Sequence, residues 1–168
     1  EMKSKDFDET IKIRMPSSGS ATTPPHSMSD FKFKDYSPQV FRRIRDTFNI
    51  VPSEYLIDVC GGFEYLEFIS NSKSGSFFFY SHNRQYMIKT ISDGECKFLR
   101  TILPDYYTHV TKNPDTLLVR FCGMHRVKIH KKKEMHFLIM GSVFNTSQFL
   151  HKTFDIKGSS HGRWATEE

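Results

Sequence analysis

A single lysine stands inside an apolar stretch of this sequence, Tyr86-Met87-Ile88-Lys89-Thr90. Burying an ammonium group is unfavourable unless a partner neutralises it, so Lys89 requires an acidic neighbour or an anionic ligand. The small polar turn Ser74-Gly75-Ser76 comes one apolar run earlier, and such residues let backbone N–H groups approach a phosphate closely. Together they could bind the phosphates of a nucleotide. The alternatives are an ordinary hairpin turn and an edge-strand lysine that points to water.

A glutamate follows soon after the lysine, in Ser92-Asp93-Gly94-Glu95. Ser-x-x-Glu is the pattern of a capping box, in which serine and glutamate side chains satisfy free N–H groups at a helix start. The same carboxylate could instead pair with Lys89 and orient it. The sequence leaves both roles of Glu95 open, and they do not exclude each other.

A second polar cluster lies near the end of the chain, within "HKTFDIKGSSHGRW" at 151–164. It collects Asp155, Lys157 and Arg163 around the small residues Gly158 and Ser159. In an extended segment Asp155 and Lys157 project to the same side, which suggests a shared ligand. The alternative is a charged surface turn.

The elements that would position these residues begin after an arm. Residues 1–30 are rich in charge, Ser, Thr and Pro, which is typical of a flexible segment, although Ile11 and Ile13 could form a short edge strand. Residues 31–168 form one domain in this interpretation. With 38% hydrophobic and 14% aromatic residues the chain is long enough to bury one core.

Three helices are predicted from caps, breakers and apolar period. The first begins at Ser37-Pro38, as N-cap and first helical residue, and ends near residue 48. The second begins at Pro52 and stops at Gly61-Gly62. The third runs from Ser92 to about Val110, with a kink expected at Pro104.

Five runs rich in β-branched and aromatic residues predict strands, at 63–70, 76–81, 86–91, 117–129 and 135–144. The predicted fold class is α+β, with an antiparallel sheet and flanking helices. Three strands, a helix and two strands follow one another in the small, N-terminal lobe of a kinase. In that lobe a strand lysine binds the nucleotide phosphates and a helix glutamate orients it.

The net charge limits which partners the protein can bind, and the cysteines indicate its cellular compartment. The formal charge of +5 favours polyanions such as nucleotide phosphates, nucleic acid or anionic lipid. The odd, widely spaced Cys60, Cys96 and Cys122 suggest reduced thiols. No apolar run approaches the roughly 20 residues that span a bilayer. We therefore expect a cytoplasmic protein that meets membranes peripherally, with Arg42, Arg43, Arg45 and Lys131–Lys133 as candidate contacts.

The motif Asp155-Ile156-Lys157-Gly158-Ser159 resembles a signature of the phosphatidylinositol phosphate kinase family. Other blocks are similar to the same family: "SGSFFFYSHNRQYMIKT", "LPDYY", "TLLVRFCGMHRV" and "FLIMGSVF". The segment "GSATTPPHSMSDFKFKDYSPQVFRRIR" resembles the approach to the catalytic domain of the type I enzymes, the phosphatidylinositol 4-phosphate 5-kinases. The resemblance extends from about residue 11 to the end of the chain.

The resemblance implies a role for each matching residue. Ser74, Gly75 and Ser76 would form the nucleotide loop, and Lys89, oriented by Glu95, would bind ATP phosphates. Met140, Gly141, Ser142 and Val143 would form the hinge that faces adenine. Asp155 and Lys157 would act at the transferred phosphate, with Lys157 and Arg163 near the lipid head group.

For the complete enzyme the resemblance implies phosphoryl transfer from MgATP to phosphatidylinositol 4-phosphate at an anionic membrane surface. The chain would be the ATP-binding lobe, inactive alone, with Mg²⁺ ligands expected in the second lobe. The resemblance leaves open whether the complete enzyme forms a homodimer.

Two other interpretations compete with the kinase. A non-catalytic basic domain could bind membrane or RNA, although no RNP-like motif supports RNA and no nucleic acid partner is expected. His125, His130 and His136 lie close in sequence, but without paired Cys or helical spacing they are better explained as strand and turn residues than as metal ligands.

Overall fold

The computed structural model describes residues 2–68, 76–130, 132–144, 146, 148–152, 154, 158–159 and 161. Its helices are α1 (Ser4–Asp8), α2 (Pro38–Thr47), α3 (Pro52–Cys60) and α4 (Asp93–Lys112). Its strands are β1 (Thr10–Met15), β2 (Phe31–Tyr36), β3 (Leu66–Phe68), β4 (Phe78–Tyr80), β5 (Tyr86–Ile91), β6 (Phe121–Ile129) and β7 (Met135–Gly141). The α+β class with flanking helices is therefore confirmed.

The strands form a single antiparallel sheet in the order β1-β2-β6-β7-β5-β4-β3. The five predicted runs correspond to β3 to β7, and β1 and β2 extend this sheet at the β6 edge. Ile11 and Ile13 lie in the edge strand β1, as predicted. Strand β6 begins at Phe121 rather than at Leu117, since the fully exposed Leu117 belongs to the loop that follows α4.

Helix α2 begins at Pro38 as predicted, but Ser37 does not cap it in the predicted way. Its backbone is left-handed, with φ of 46°, and the side chain makes no bond to the helix N–H groups. The Ser37 hydroxyl is fully buried and donates instead to the carbonyl of Phe7, at 2.6 Å. This tertiary partner replaces the local one because α1 packs over the start of α2.

Helices α3 and α4 follow the predicted bounds closely. Helix α3 ends at Gly61, where a side chain would collide with the carbonyl of Ile57. Helix α4 continues past Pro104 to Lys112 as one helix. Among the described residues, no helix combines the length and apolarity that crossing a bilayer requires.

The two faces of the sheet bury different partners. One, the α4 face, packs against α2 and α4 and holds the main core: Val40, Ile44, Ile91, Leu103, Val110, Met124, Leu138 and Met140. The opposite, α3 face holds a smaller cluster of Tyr86, Cys122 and Ile139 beneath Tyr55 and Val59. The main core therefore couples α4 directly to the centre of the sheet.

Removing a side chain from this core should cost much more than removing the same side chain from the surface. Ile44 is fully buried between α2 and the sheet, so Ile44→Ala should lower the free energy of unfolding by about 2–5 kcal/mol. The matched control, Ile57→Ala on α3, removes a side chain that is 55% exposed and should cost about 0.5 kcal/mol. Urea unfolding followed by circular dichroism measures both. Equal losses would place Ile44 outside the core.

Candidate functional site

Lys89 lies in the interior of the sheet. Strand β5 runs between β4 and β7, and Lys89 is opposite Phe78 on one side and Leu138 on the other. Its side chain is 25% exposed. The hypothesis of an edge-strand lysine that points to water is therefore wrong.

Glu95 performs both of the roles that the sequence left open. One carboxylate oxygen accepts the backbone N–H of Ser92 at 2.7 Å, while the Ser92 hydroxyl accepts the N–H of Glu95 at 3.1 Å. The other carboxylate oxygen lies 3.2 Å from Nζ of Lys89. The capping box and the lysine pair therefore coexist, because each uses a different oxygen.

The environment keeps the glutamate ionised. The Ser92 backbone N–H, with smaller contributions from the Ser92 hydroxyl and Lys89, holds the pKa of Glu95 below its usual value despite partial burial. A lowered carboxyl pKa stabilises the fold at pH values above the ordinary glutamate pKa, and that contribution is lost as pH falls through the lowered value. At neutral pH the pair is thus an ion pair.

A cavity of 370 Å³ opens beside this pair, between the sheet and the first turns of α4. Apart from Lys89 and Glu95 its walls are apolar, and they include Ile91, Leu99, Val119, Phe121, Leu138 and Met140. Nζ of Lys89 also lies 5.9 Å from the ring centre of Phe78. An apolar cavity with one lysine–glutamate pair at its side is suited to a flat, weakly polar ring whose charged group reaches Lys89.

The four predicted hinge residues separate in the structure. Met140 is buried and lines the cavity beside Lys89. Gly141, Ser142 and Val143 line another cavity, of 540 Å³. The amide of Gly141 donates to the carbonyl of Arg120, and the amide of Ser142 donates to the carbonyl of Gln85, both at 2.8 Å. Their contact with a nucleotide base stays a prediction.

The predicted nucleotide loop is described only at its end. Ser74 and Gly75 lie outside the described residues, while Ser76 precedes β4 and is partly buried. Next to it, the amide of Phe77 donates to the hydroxyl of Thr90, and the amide of Thr90 donates back to the carbonyl of Phe77. The end of the loop is thus attached to β5 directly beside Lys89.

The second polar cluster lies mostly outside the described part of the chain. This applies to Asp155, Lys157 and Arg163. Of their neighbours, Ser159 accepts the amide of His161 at 3.3 Å. The roles of Asp155, Lys157 and Arg163 stay predictions.

Sequence reasoning missed two rows of cations that the strand register creates. Lys12, Lys34 and Arg126 lie side by side across β1, β2 and β6, and Arg14, Lys32 and Lys128 form the next row. We call these six residues the basic face; alternation along β6 places it on the same side of the sheet as Met124. The signal was present in Phe31-Lys32-Phe33-Lys34, but the pairing of three strands could not be deduced from it.

The charges on the basic face disturb one another. Burial, and then the nearby Arg126 and Lys12, lower the pKa of Lys34. Among the described residues, the ion pairs of these six cations involve two carboxylates: Glu134, beside Arg126 and Lys128, and Asp30, beside Arg14. Like charges directly opposite in a sheet are destabilising. An external anion would relieve this repulsion.

The predicted membrane contacts differ in their solvent exposure and in their contacts within the fold. Arg45 is engaged within the fold: Nη1 donates to the carbonyl of Cys122 at 2.5 Å, and the guanidinium covers the ring of Tyr55. Arg42 and Arg43 are exposed on α2, and Lys132 and Lys133 are exposed in the turn before β7. Lys131 lies outside the described residues.

The three histidines do not form a metal site in the described part of the chain. His125 lies beside Asp35 at 3.0 Å on the α3 face, whereas His136 stacks on Tyr36 on the opposite face. Across those residues, no cluster of three or more His, Cys, Asp or Glu side chains could hold a metal ion.

Comparison with known proteins identifies the family of the chain. The family model described as Phosphatidylinositol-4-phosphate 5-Kinase matches residues 59–168. The chain belongs to this family. It is 44% identical to Phosphatidylinositol 4-phosphate 5-kinase 3 of Arabidopsis thaliana, and 97% of the chain is covered. It is 43% identical to Phosphatidylinositol 4-phosphate 5-kinase its3 of Schizosaccharomyces pombe, again over 97% of the chain.

The matched part of these family members is short. The alignments cover 23% of the Arabidopsis protein and 22% of the fission yeast protein, so the chain spans less than a quarter of either relative.

The capping box predicts a measurable cost when its serine is removed. Ser92→Ala leaves the amide of Glu95 without its partner and should lower the free energy of unfolding by about 0.5–2 kcal/mol. Thr101→Ala is a suitable control, since its exposed hydroxyl donates to the carbonyl of Lys97 within α4, and it should change stability by less than about 0.5 kcal/mol. Urea unfolding compares the two variants. An unchanged Ser92→Ala protein would contradict the cap.

Proposed function

We propose that this chain is the ATP-binding lobe of a lipid kinase that phosphorylates phosphatidylinositol 4-phosphate to phosphatidylinositol 4,5-bisphosphate. Family membership and the names of the relatives support this reaction. The observation that carries the proposal is the Lys89–Glu95 ion pair at an apolar cavity. The domain division, with an arm at 1–30 and the lobe at 31–168, is part of the proposal.

In the proposed mechanism Lys89 binds phosphate oxygens of ATP, and Glu95 fixes the direction of its ammonium group. Such positioning and charge neutralisation provide most of the catalysis in phosphoryl transfer. MgATP supplies the phosphoryl group, and its Mg²⁺ ligands are expected in the second lobe. The apolar walls around Met140 fit the adenine ring, which needs few polar partners.

The roles of the remaining site residues are assigned from the motifs that contain them. Ser74, Gly75 and Ser76 would cover the phosphates from the β3–β4 connection, which reaches Lys89 through the bonds between Phe77 and Thr90. Asp155, Lys157 and Arg163 would contact the transferred phosphate and the lipid head group. Their support is the resemblance of the Asp-Ile-Lys-Gly-Ser segment to the family signature.

We further propose that the basic face meets an anionic membrane at the cytoplasmic side. Its rows of cations repel one another in the isolated chain, and an anionic leaflet attracts bases at about 1 kcal/mol for each Lys or Arg near the surface. RNA is less well suited, because Phe31 and Phe33 alternate with Lys32 and Lys34 and so project to the other face of the sheet. Arg42 and Arg43 on α2 are the weaker candidates.

Replacing Lys89 should abolish turnover without unfolding the lobe. In the complete kinase, Lys89→Met should reduce the initial rate on phosphatidylinositol 4-phosphate vesicles at least about 100-fold, because a phosphate contact is lost. Lys97→Met is the control, since Lys97 is exposed on α4 and pairs only with Asp93 among the described ion pairs. It should retain activity within about twofold. A Lys89→Met enzyme with near-normal turnover and melting temperature would reject the proposal.

Removing two cations from the basic face should weaken vesicle binding. At about 1 kcal/mol for each base, the double variant Lys32→Ala, Lys128→Ala should lose roughly 30-fold in partitioning to phosphatidylserine vesicles. The control Arg42→Ala, Arg43→Ala removes the same charge from α2 and should lose less than about threefold. Sedimentation at low and high salt measures both. Equal losses would argue that net charge, rather than this face, determines binding.

A further inference from the structure

Helix α1 was not predicted, and its stability depends on tertiary contacts. It has five residues, Ser4–Asp8, and no fully buried side chain. Isolated helices shorter than about 12 residues are marginal in water. Its short capping interaction, from the amide of Lys3 to Asp6 at 2.7 Å, is exposed. The contacts that hold α1 in place therefore lie on α2 and α4.

Phe7 makes the central contact of α1. Its ring meets that of Tyr107 on α4 edge-on, with centroids 5.7 Å apart, and it packs against the main core. Its carbonyl accepts the hydroxyl of the fully buried Ser37, whose own amide donates to the carbonyl of Glu9. The backbone on both sides of Asp8 is thus attached to the start of α2, and the Phe7 side chain is directed at α4.

A second contact joins α1 to α4 nearer the site. Asp8 lies 3.9 Å from the guanidinium of Arg100, which also covers the ring of Tyr36 at 5.3 Å. Arg100 and Tyr107 are about two turns apart on α4, and both follow Glu95. Two contacts along one helix limit both its sliding and its rotation. The first turn, which carries Glu95, moves with the rest of the helix.

We infer that α1 is a positioning element for the Lys89–Glu95 pair and that Phe7 is its principal positioning residue. The inference rests on the proposed function, in which Glu95 must lie on Lys89 for phosphoryl transfer. Lys89 is fixed by the sheet, whereas Glu95 is fixed by the placement of α4. The contacts of α1 with α2 and α4 support the helix that carries Glu95, so withdrawing α1 would loosen the placement of this helix on the sheet. Binding that displaces α1 would then lower the turnover of the kinase.

The experiment uses the complete kinase and measures kcat, KM for both substrates and the melting temperature. Phe7→Ala should lower kcat at least about fivefold, since small displacements of catalytic groups have large effects on rate. KM for the lipid should stay within about twofold, because the basic face is unchanged. Phe7→Leu, which keeps an apolar contact, should recover at least half of the lost kcat. Lys5→Ala, on the exposed side of α1, is the matched control and should behave as wild type.

A Glu95→Gln background separates positioning from a purely structural role. If Phe7 acts through Glu95, Phe7→Ala should lower kcat in the wild-type background and have no further effect once Glu95 is replaced. An equal fold-loss in both backgrounds, or a lower melting temperature with unchanged kcat, would overturn the inference.

The same background distinguishes this inference from the proposed function. Full turnover by Glu95→Gln alone would reject the catalytic role of the pair and the inference with it. A large loss in Glu95→Gln with none in Phe7→Ala would reject only the role of α1. If Phe7→Ala melts below the assay temperature, Phe7→Val replaces it, with at least a twofold loss of kcat expected only when Glu95 is present.

Discussion

The arrangement of this lobe depends on one carboxylate. Glu95 uses one oxygen to complete the cap of α4 and the other to bind Lys89, so the start of the helix and the middle of β5 are joined through a single side chain. This is feasible because β5 ends at Ile91 and α4 begins at Asp93, with Ser92 alone between them. The short connection explains why the lysine and its glutamate are only six residues apart in sequence.

The antiparallel order of the sheet places two features at different distances from its edge. At its centre β5 and β7 place Lys89 opposite Leu138 and enclose an apolar cavity with α4. Toward the other edge, β1 and β2 continue the sheet beyond β6 and align cations on the same face. The cavity beside Lys89 and the basic face therefore lie on one face of one sheet. In the proposed kinase this brings the phosphate donor and the membrane to the same side of the lobe.

Sequence patterns were sufficient for elements whose stability is mainly local. The apolar periods and caps predicted α2, α3 and α4, and five of the strands followed from their aromatic and β-branched runs. Helix α1 could not be predicted, because five residues carry no period and its stability comes from Tyr107 and Ser37. Strand order and register depend on contacts between distant segments, so the basic face was missed. The two roles of Glu95 could be stated from the sequence, but only the geometry of its two oxygens shows that both occur together.

The proposed role of Lys89 is to recognise the phosphates of ATP rather than to stabilise the sheet or the base site. Calorimetric binding of ATP and of adenosine to the complete kinase tests it directly, in wild type and in Lys89→Met. Loss of a charge-assisted contact should weaken ATP binding at least about tenfold, while adenosine, which lacks phosphates, should bind within about twofold of wild type. Equal affinity of both proteins for ATP, or equal weakening of ATP and adenosine binding, would rule out this role for Lys89.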